Sequence, residues 1–338
     1  MSNLPLYPLR FHPILKRLIW GGRRLGAFLD KPIGDDHDYA ESWEISDHRR
    51  DVSIVADGPL EGVTLRQLLH DRADELLGPA FADRRQFPLL VKFLDANRHL
   101  SVQVHPDDAQ GRVLADDNGK TEAWVVIHAE PGSLIFAGLN PGVTRMDLAA
   151  AIETGRVEPL LHRFEAKASD CVMIPAGTVH AIGEGIVLAE IQQMSDATFR
   201  VFDWGRLGPD GSPRALHARE ALESTDFNAH PVNPLRPEIE RIEGGTRERL
   251  AECSYFAIER LSLTGPAEVG GGDRFTIVVG VEGRSAIEHR GESYALEKGQ
   301  TRLLPAAIGA CRVRPDPSAT VLCCRVPDAE ARGRAYRR

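Results

Sequence analysis

Glycine and proline cut this chain into short apolar runs, and that punctuation narrows its possible folds more than any other feature. ESWEISDH (41–48), HLSVQVHPDD (99–108), EAWVVIHAEPGSLIFAGL (122–139), DCVMIPAG (170–177) and GIVLAEIQQM (185–194) are rich in β-branched and aromatic residues and bounded by Gly, Pro or Asp. RFTIVVGVEG (274–283), SAIEHRGESYAL (285–296) and ATVLCCRV (319–326) continue the pattern. Short strands at this spacing predict a sandwich or barrel. With 31 Gly and 22 Pro in 338 residues, tight turns leave little room for long helices.

Helical insertions are expected at two places. TLRQLLHDRADELLG offers Thr64 as N-cap, apolar Leu65, Leu68, Leu69, Leu76 and Leu77, and Gly78 as the stop. TRMDLAAAIETG sets Thr144 three residues before Asp147, a capping-box pattern, and ends at Gly155. A third helix is expected within 213–225, and the polar stretches at 205–214 and 228–237 read as a linker between halves. The halves resemble each other: SDCVMIPAGTVH (169–180) and GQTRLLPAAIGA (299–310) both send an apolar strand into a proline turn. With Pro175 aligned to Pro305, His180 falls on Ala310, so the chemistry is expected in one copy of a duplicated barrel.

The net charge of −8 excludes a broad basic face for nucleic acid or an anionic membrane, while leaving room for a small anionic ligand. No run approaches the ~20 apolar residues of a membrane span, and the N-terminus lacks the pattern of a signal peptide. Five cysteines without a C-x-x-C motif read as reduced thiols of a cytoplasmic protein.

The stretch IPAGTVHAIG (174–183) presents His180 after a Pro-Gly turn. Strand alternation puts Gln103 and His105 on one face of LSVQVHPDD and Val102 and Val104 on the other. If the valines pack between sheets, the amide and imidazole enter the barrel together. Glu122 opens a very apolar strand, where an unpaired carboxylate costs several kcal/mol. A divalent cation removes that cost. Two imidazoles, a carboxylate and an amide oxygen suit Zn2+ with an open position. Each of these residues alone reads as an ordinary structural one; together, on successive strands, they match a metallo-cupin layout. His99 is the nearest competing ligand, and His128 lies too far along its strand. His12, His37, His48, His70, His162, His217, His230 and His289 have no comparable setting and are expected at the surface or in packing.

PLLVKFLDANRHLSVQVHPDD, GKTEAWVVI and IPAGTVHAIGEGIVLAEIQQMSDATFRVFDWGR resemble the class I mannose-6-phosphate isomerases, in the short bacterial form of the cupin superfamily. The likeness is dense from Phe87 to Arg206 and looser from WGGRRLG and ESWEISDH through the second half. It implies a mainly β fold of two cupin (jelly-roll) β-barrels with short helical insertions. The expected division is a catalytic cupin domain over 1–235 and a cupin-like domain without metal ligands over 236–338. It implies one zinc per chain on Gln103, His105, Glu122 and His180. Substrate-site positions fall on Lys92, Ser101, Lys120, Glu190, Asp196 and Arg200. Lys92 and Ser101 are expected to bind substrate at its phosphate, Arg200 to stabilise an enediolate, and Lys120, Glu190 and Asp196 to serve in proton transfer or ring opening. Ser169 departs from the pattern, standing where a glycine is usual before the Asp. The expected partner is a small phosphorylated sugar, with no nucleic acid or membrane, in a monomer or homodimer. Two alternatives stay open: another cupin metalloenzyme, such as an Fe(II) dioxygenase or a different sugar-phosphate isomerase, and a non-catalytic sugar-binding bicupin.

Overall fold

The computed structural model describes residues 4–81, 83–208 and 211–327. The chain is mainly β, as the runs predict. Two sheets face each other in the first half. A six-stranded sheet runs in the order Ile14–Gly22, Tyr39–Ile45, Leu89–Ala96, Ile186–Gln193, Glu122–Ala129 and Cys171–Ile174. A five-stranded sheet runs Phe199–Phe202, Val102–Val104, His180–Ile182, Leu134–Leu139 and Leu161–Glu165. The strands of the second half, from Ile239–Ile242 to Ala310–Arg325, form an eight-stranded sheet of their own.

Period-2 alternation sorts the side chains into layers. Between the two sheets of the first barrel lie Leu94, Trp124, Val126, Ile135, Val172, Ile174, Ile182, Ile186 and Leu188. The alternate residues Val91, Phe93, Ala123, Val125, Val187, Ala189 and Ile191 face outward into a large core continuous with Phe275, Ile277, Val313 and Val321 of the second sheet. Val102 and Val104 pack not between the sheets but on the outer face of the five-stranded one, with Leu148, Ile152 and Ala221 of the covering helices. That arrangement still turns Gln103 inward.

Helix Leu65–Leu77 starts at Thr64, whose side chain accepts from the Gln67 N–H, and stops at Gly78. Helix Arg145–Thr154 has the full Thr144–Asp147 capping box and ends on a left-handed Gly155. The third helix is only Ala218–Ser224, because the residues ahead of it are used elsewhere: Arg214 pairs with Asp203, and the His217 ring accepts from the Arg200 N–H. A helix not anticipated, Asp108–Leu114, follows the Gln103 strand directly, with an Asp107–Gln110 capping box.

The described residues of 205–214, and those of 228–237, lie against the first barrel rather than spanning a gap. Arg206 and Arg214 both bind Asp203, and the Val232 and Leu235 N–H groups donate to Ala137 and Cys171. The halves are tied by Arg302 to the Pro8 carbonyl, by Tyr255 to Asp108, and by Arg260 to the Ser169 carbonyl. Ser169 holds a left-handed φ of 74°, a conformation glycine adopts without the penalty a Cβ brings. The second half keeps the turn length of the repeat but turns a different side chain inward. Strand Ala310–Arg325 pairs Cys311 with Val269, as His180 pairs with Gln103, and Cys311 is buried while Ala310 is exposed. Both turns run from the residue after Ile174 or Leu304 to the one before His180 or Ala310, so Ala310 opens its strand as His180 does, yet the buried side chain is that of Cys311.

Gly177 is where the turn that mounts His180 depends on backbone freedom. Its φ is +86°, its N–H donates to the His105 carbonyl, and an added Cβ would press within 3.1 Å of Asp226. Gly177→Ala is expected to cost about 1–2 kcal/mol of stability, measured as a lowered midpoint in chemical denaturation.

Candidate metal centre and active site

The interior of the first barrel is apolar at one end and polar at the other. The cross-strand row Trp43–Lys92–Glu190–Trp124 places all four side chains on one face of the six-stranded sheet, and Gln192 and Glu122 form the next row. Across from them, Arg200, Gln103 and His180 share a row of the five-stranded sheet. The polar end is therefore built from register, with one contribution from nearly every inner strand.

His105, Glu122 and His180 converge, all three buried, with their ligand atoms within 4.8 Å of one another. Each His Nε2 lies 3.4 Å from an oxygen of Glu122, His105 from Oε2 and His180 from Oε1. The Nδ1 atoms point away from the centre: His105 Nδ1 donates to the Ala197 carbonyl at 2.8 Å and His180 Nδ1 to the Thr178 carbonyl at 2.9 Å. These bonds fix the tautomers and leave both Nε2 lone pairs directed at the centre, the usual support of a metal-binding histidine. Burial, reinforced by Lys120, depresses the His105 imidazolium to a pKa of about 3, and burial lowers His180 as well. Both rings are neutral at physiological pH, the form that coordinates metal. The Gln103 amide reaches to 3.3 Å from His180 Nε2; turning it end for end presents its oxygen instead.

Glu122 is fully buried, and its Oε1 has no hydrogen-bond partner. Burial favours the neutral acid, but the Lys120 ammonium outweighs it and holds this carboxyl well below its ordinary range. Lys120 Nζ lies 2.6 Å from Glu122 Oε2 and 3.0 Å from His105 Nε2. A buried carboxylate oxygen without a donor, facing two neutral imidazole lone pairs, fits a divalent cation by its donor chemistry.

Beside this centre, Lys92 Nζ is 3.5 Å from Glu41, 3.5 Å from Glu190 and 3.9 Å from Asp196, and sits over the Trp43 ring. Burial opposes its charge, yet these three carboxylates raise its pKa above the ordinary value. Glu190 accepts from Trp124 Nε1 at 3.0 Å, and burial together with Glu122 raises its pKa. Asp196 is half-exposed at the rim, and Ser101 is buried two residues ahead of Gln103.

Arg200 stands apart from this cluster. Its Nη1 donates to the Ala215 carbonyl, its buried Nε lacks a partner, and among the described residues it makes no ion pair; burial and then Arg214 lower its pKa. Glu41, which also accepts from Trp43 Nε1, is a site neighbour that sequence reasoning missed. Its signal was present in ESWEISDH, where Glu41 and Trp43 share a strand face. His99 is not in the centre: its Nδ1 accepts from the Glu184 N–H, and its ring packs on Trp204.

A barrel pair carrying a buried His/Glu/His centre beside lysines and carboxylates defines a bicupin metalloenzyme site. Residues 9–125 match the family model for the phosphomannose isomerase type I catalytic domain, and residues 246–318 match the mannose-6-phosphate isomerase cupin domain. The chain is 36% identical to mannose-6-phosphate isomerase ManA of Bacillus subtilis (strain 168) over 306 residues, covering 89% of this chain and 94% of that protein. It is 35% identical to the mannose-6-phosphate isomerase of Streptococcus mutans serotype c over 301 residues, 89% of this chain and 93% of that one. The crystal structure of the Bacillus subtilis mannose 6-phosphate isomerase superposes with a TM-score of 0.88 at 31% identity, over 95% of this chain and all of that one. The Salmonella typhimurium phosphomannose isomerase shares the fold, with a TM-score of 0.73 at 16% identity over 95% of this chain and all of that one.

The chain belongs to the type I mannose-6-phosphate isomerase family. It is an enzyme, an isomerase. No helix among the described residues is long and apolar enough to cross a membrane.

His180→Ala is expected to remove bound divalent metal while leaving the circular dichroism of a folded barrel, with metal content read by elemental analysis of the purified variant.

Proposed function

We propose that this enzyme interconverts mannose 6-phosphate and fructose 6-phosphate through a cis-enediol, with one Zn2+ per chain held by Gln103, His105, Glu122 and His180. The observation that carries this reading is the unpaired Glu122 Oε1, buried between two neutral imidazoles and beside a cluster of lysines and carboxylates. The nitrogen-rich donor set with one carboxylate supports zinc over a hard oxygen-seeking ion. Bound there, the metal supplies Lewis-acid polarisation of a substrate oxygen.

The protein groups divide the remaining work. Isomerisation moves a proton between adjacent carbons, so it needs a base within reach and a group that steadies the enediolate oxygen. Glu190, whose carboxyl is pushed above its ordinary range by burial and by Glu122, is suited to take and return a proton. Lys120 presents an ammonium beside the Glu122 and His105 ligand atoms, placed to hydrogen-bond a reacting oxygen. Asp196 at the rim serves ring opening or a proton relay. Arg200, a cation without a carboxylate partner among the described residues, serves the enediolate. Lys92 and Ser101 bind substrate. With three carboxylates around it, Lys92 suits sugar hydroxyls and the charge of Glu190 better than a phosphate dianion.

The catalytic unit is residues 1–235, and the second cupin is 236–338, whose described strands pack on the six-stranded sheet. Five unpaired, buried cysteines support a cytoplasmic setting.

A coupled assay of mannose 6-phosphate conversion tests the reading. Turnover is expected from the metal-loaded protein, abolished by chelation and restored by Zn2+; full turnover after exhaustive chelation would refute it. Arg200→Ala is expected to keep its metal and lose about 100-fold or more in kcat, and an undiminished kcat would assign the enediolate to another group.

A further inference from the structure

The mouth of the site carries a brace that no chemical role accounts for. Asp117 Oδ2 accepts from His48 Nε2 at 2.9 Å and from the Asp196 N–H at 3.0 Å. Next to it, Asn118 Nδ2 donates to the Met194 carbonyl at 2.7 Å, and the Asn118 carbonyl accepts from the Ser195 hydroxyl at 2.8 Å. Residues 117–118 thus clamp 194–196 one after another. The clamped segment carries two things the site uses: the Asp196 carboxylate, 3.9 Å from Lys92, and the Ala197 carbonyl that receives His105 Nδ1. The Ala197 N–H in turn donates to the Ser195 hydroxyl.

His48 anchors the clamp from the far side. It is buried, and its ring meets Trp43 edge-on at 6.2 Å between centroids, the same indole that lies under Lys92. Arg49 adds a bond from its guanidinium to the Asp116 carbonyl at 2.6 Å. The chain from Tyr39–Ile45 to His48, Asp117 and the 194–197 segment therefore runs from the lysine side of the site to the metal side.

The geometry points to His48 and Asp117 as positioning residues that set the 194–197 segment, and through it the His105 imidazole and the Asp196 carboxylate. This rests on the functional reading above only for the catalytic consequence; the effect on His105 is independent of it. The distinguishing feature is the N–H of His48, not its bulk. His48→Leu keeps a buried side chain against Trp43 but offers no donor, whereas His48→Gln returns an N–H close to where Nε2 stands.

Wild type, His48→Leu and His48→Gln are compared by mannose 6-phosphate kinetics and, separately, by visible absorption after Co2+ loading. His48→Leu is expected to lose about tenfold or more in kcat with KM changed by less than about threefold, and to shift the Co2+ absorption. His48→Gln is expected to recover most of both. A leucine variant with wild-type kcat and spectrum, or a folded glutamine variant no better than leucine, would overturn the inference. If His48→Leu does not fold, Asp117→Ala puts the same question, since it leaves the His48 and Asp196 N–H groups without their acceptor. A lowered kcat and shifted Co2+ band support the role, and unchanged values defeat it. A wild type inert toward mannose 6-phosphate would sink the functional reading alone, because the Co2+ comparison still reports how His105 is held.

Discussion

The burial of one carboxylate organises the first barrel. Glu122 is fully excluded from solvent and ionised, with Lys120 on one oxygen and nothing on the other. An uncompensated charge at such a depth costs several kcal/mol, so the sequence around it has to supply cations. Two imidazoles kept neutral by burial cannot do so, and Lys92 is already shared among Glu41, Glu190 and Asp196. The free oxygen of Glu122 is thus left as the position that a divalent ion would fill.

Everything that holds the donors in place follows from the barrel. Alternation gives each inner strand one apolar position for the plug at the far end and one polar position for the site. The plug of Trp124, Val126, Leu188 and Ile182 excludes water from below, which strengthens each electrostatic contact above it. The second barrel reaches the centre only indirectly. It covers the outer face of the six-stranded sheet through a continuous core, and so stiffens the strands that carry Lys92, Glu122 and Glu190. Its own inward position opposite Val269 is Cys311, whose thiol burial pushes up to about 11, a protonated group unsuited to ligate zinc unaided.

Much of this was legible from local pattern because alternation is local. The pairing of Gln103 with His105, the isolation of Glu122 in an apolar strand, and the P-x-G-x-x-H turn each need only a few adjacent residues. What was not legible depends on register between distant strands. Glu41 and Trp43 enter the site from one strand and Asp117 from a segment far along the chain, and only the pairing of distant strands brings them together. Helix Asp108–Leu114 was hidden because its capping box overlaps the end of a run that reads as strand. That Cys311 rather than Ala310 is buried depends on how Ala310–Arg325 pairs with the distant strand Ala267–Gly270, which the turn sequence does not show.

The central claim is that Glu122, His105 and His180 share a single divalent ion. A crystal of the zinc-loaded enzyme, with anomalous data collected on both sides of the zinc absorption edge, addresses it directly. The account predicts one strong peak within about 2.0–2.2 Å of both Nε2 atoms and a Glu122 oxygen. A density-free centre with Lys120 still seated on Glu122, or a peak held by other residues, would contradict it.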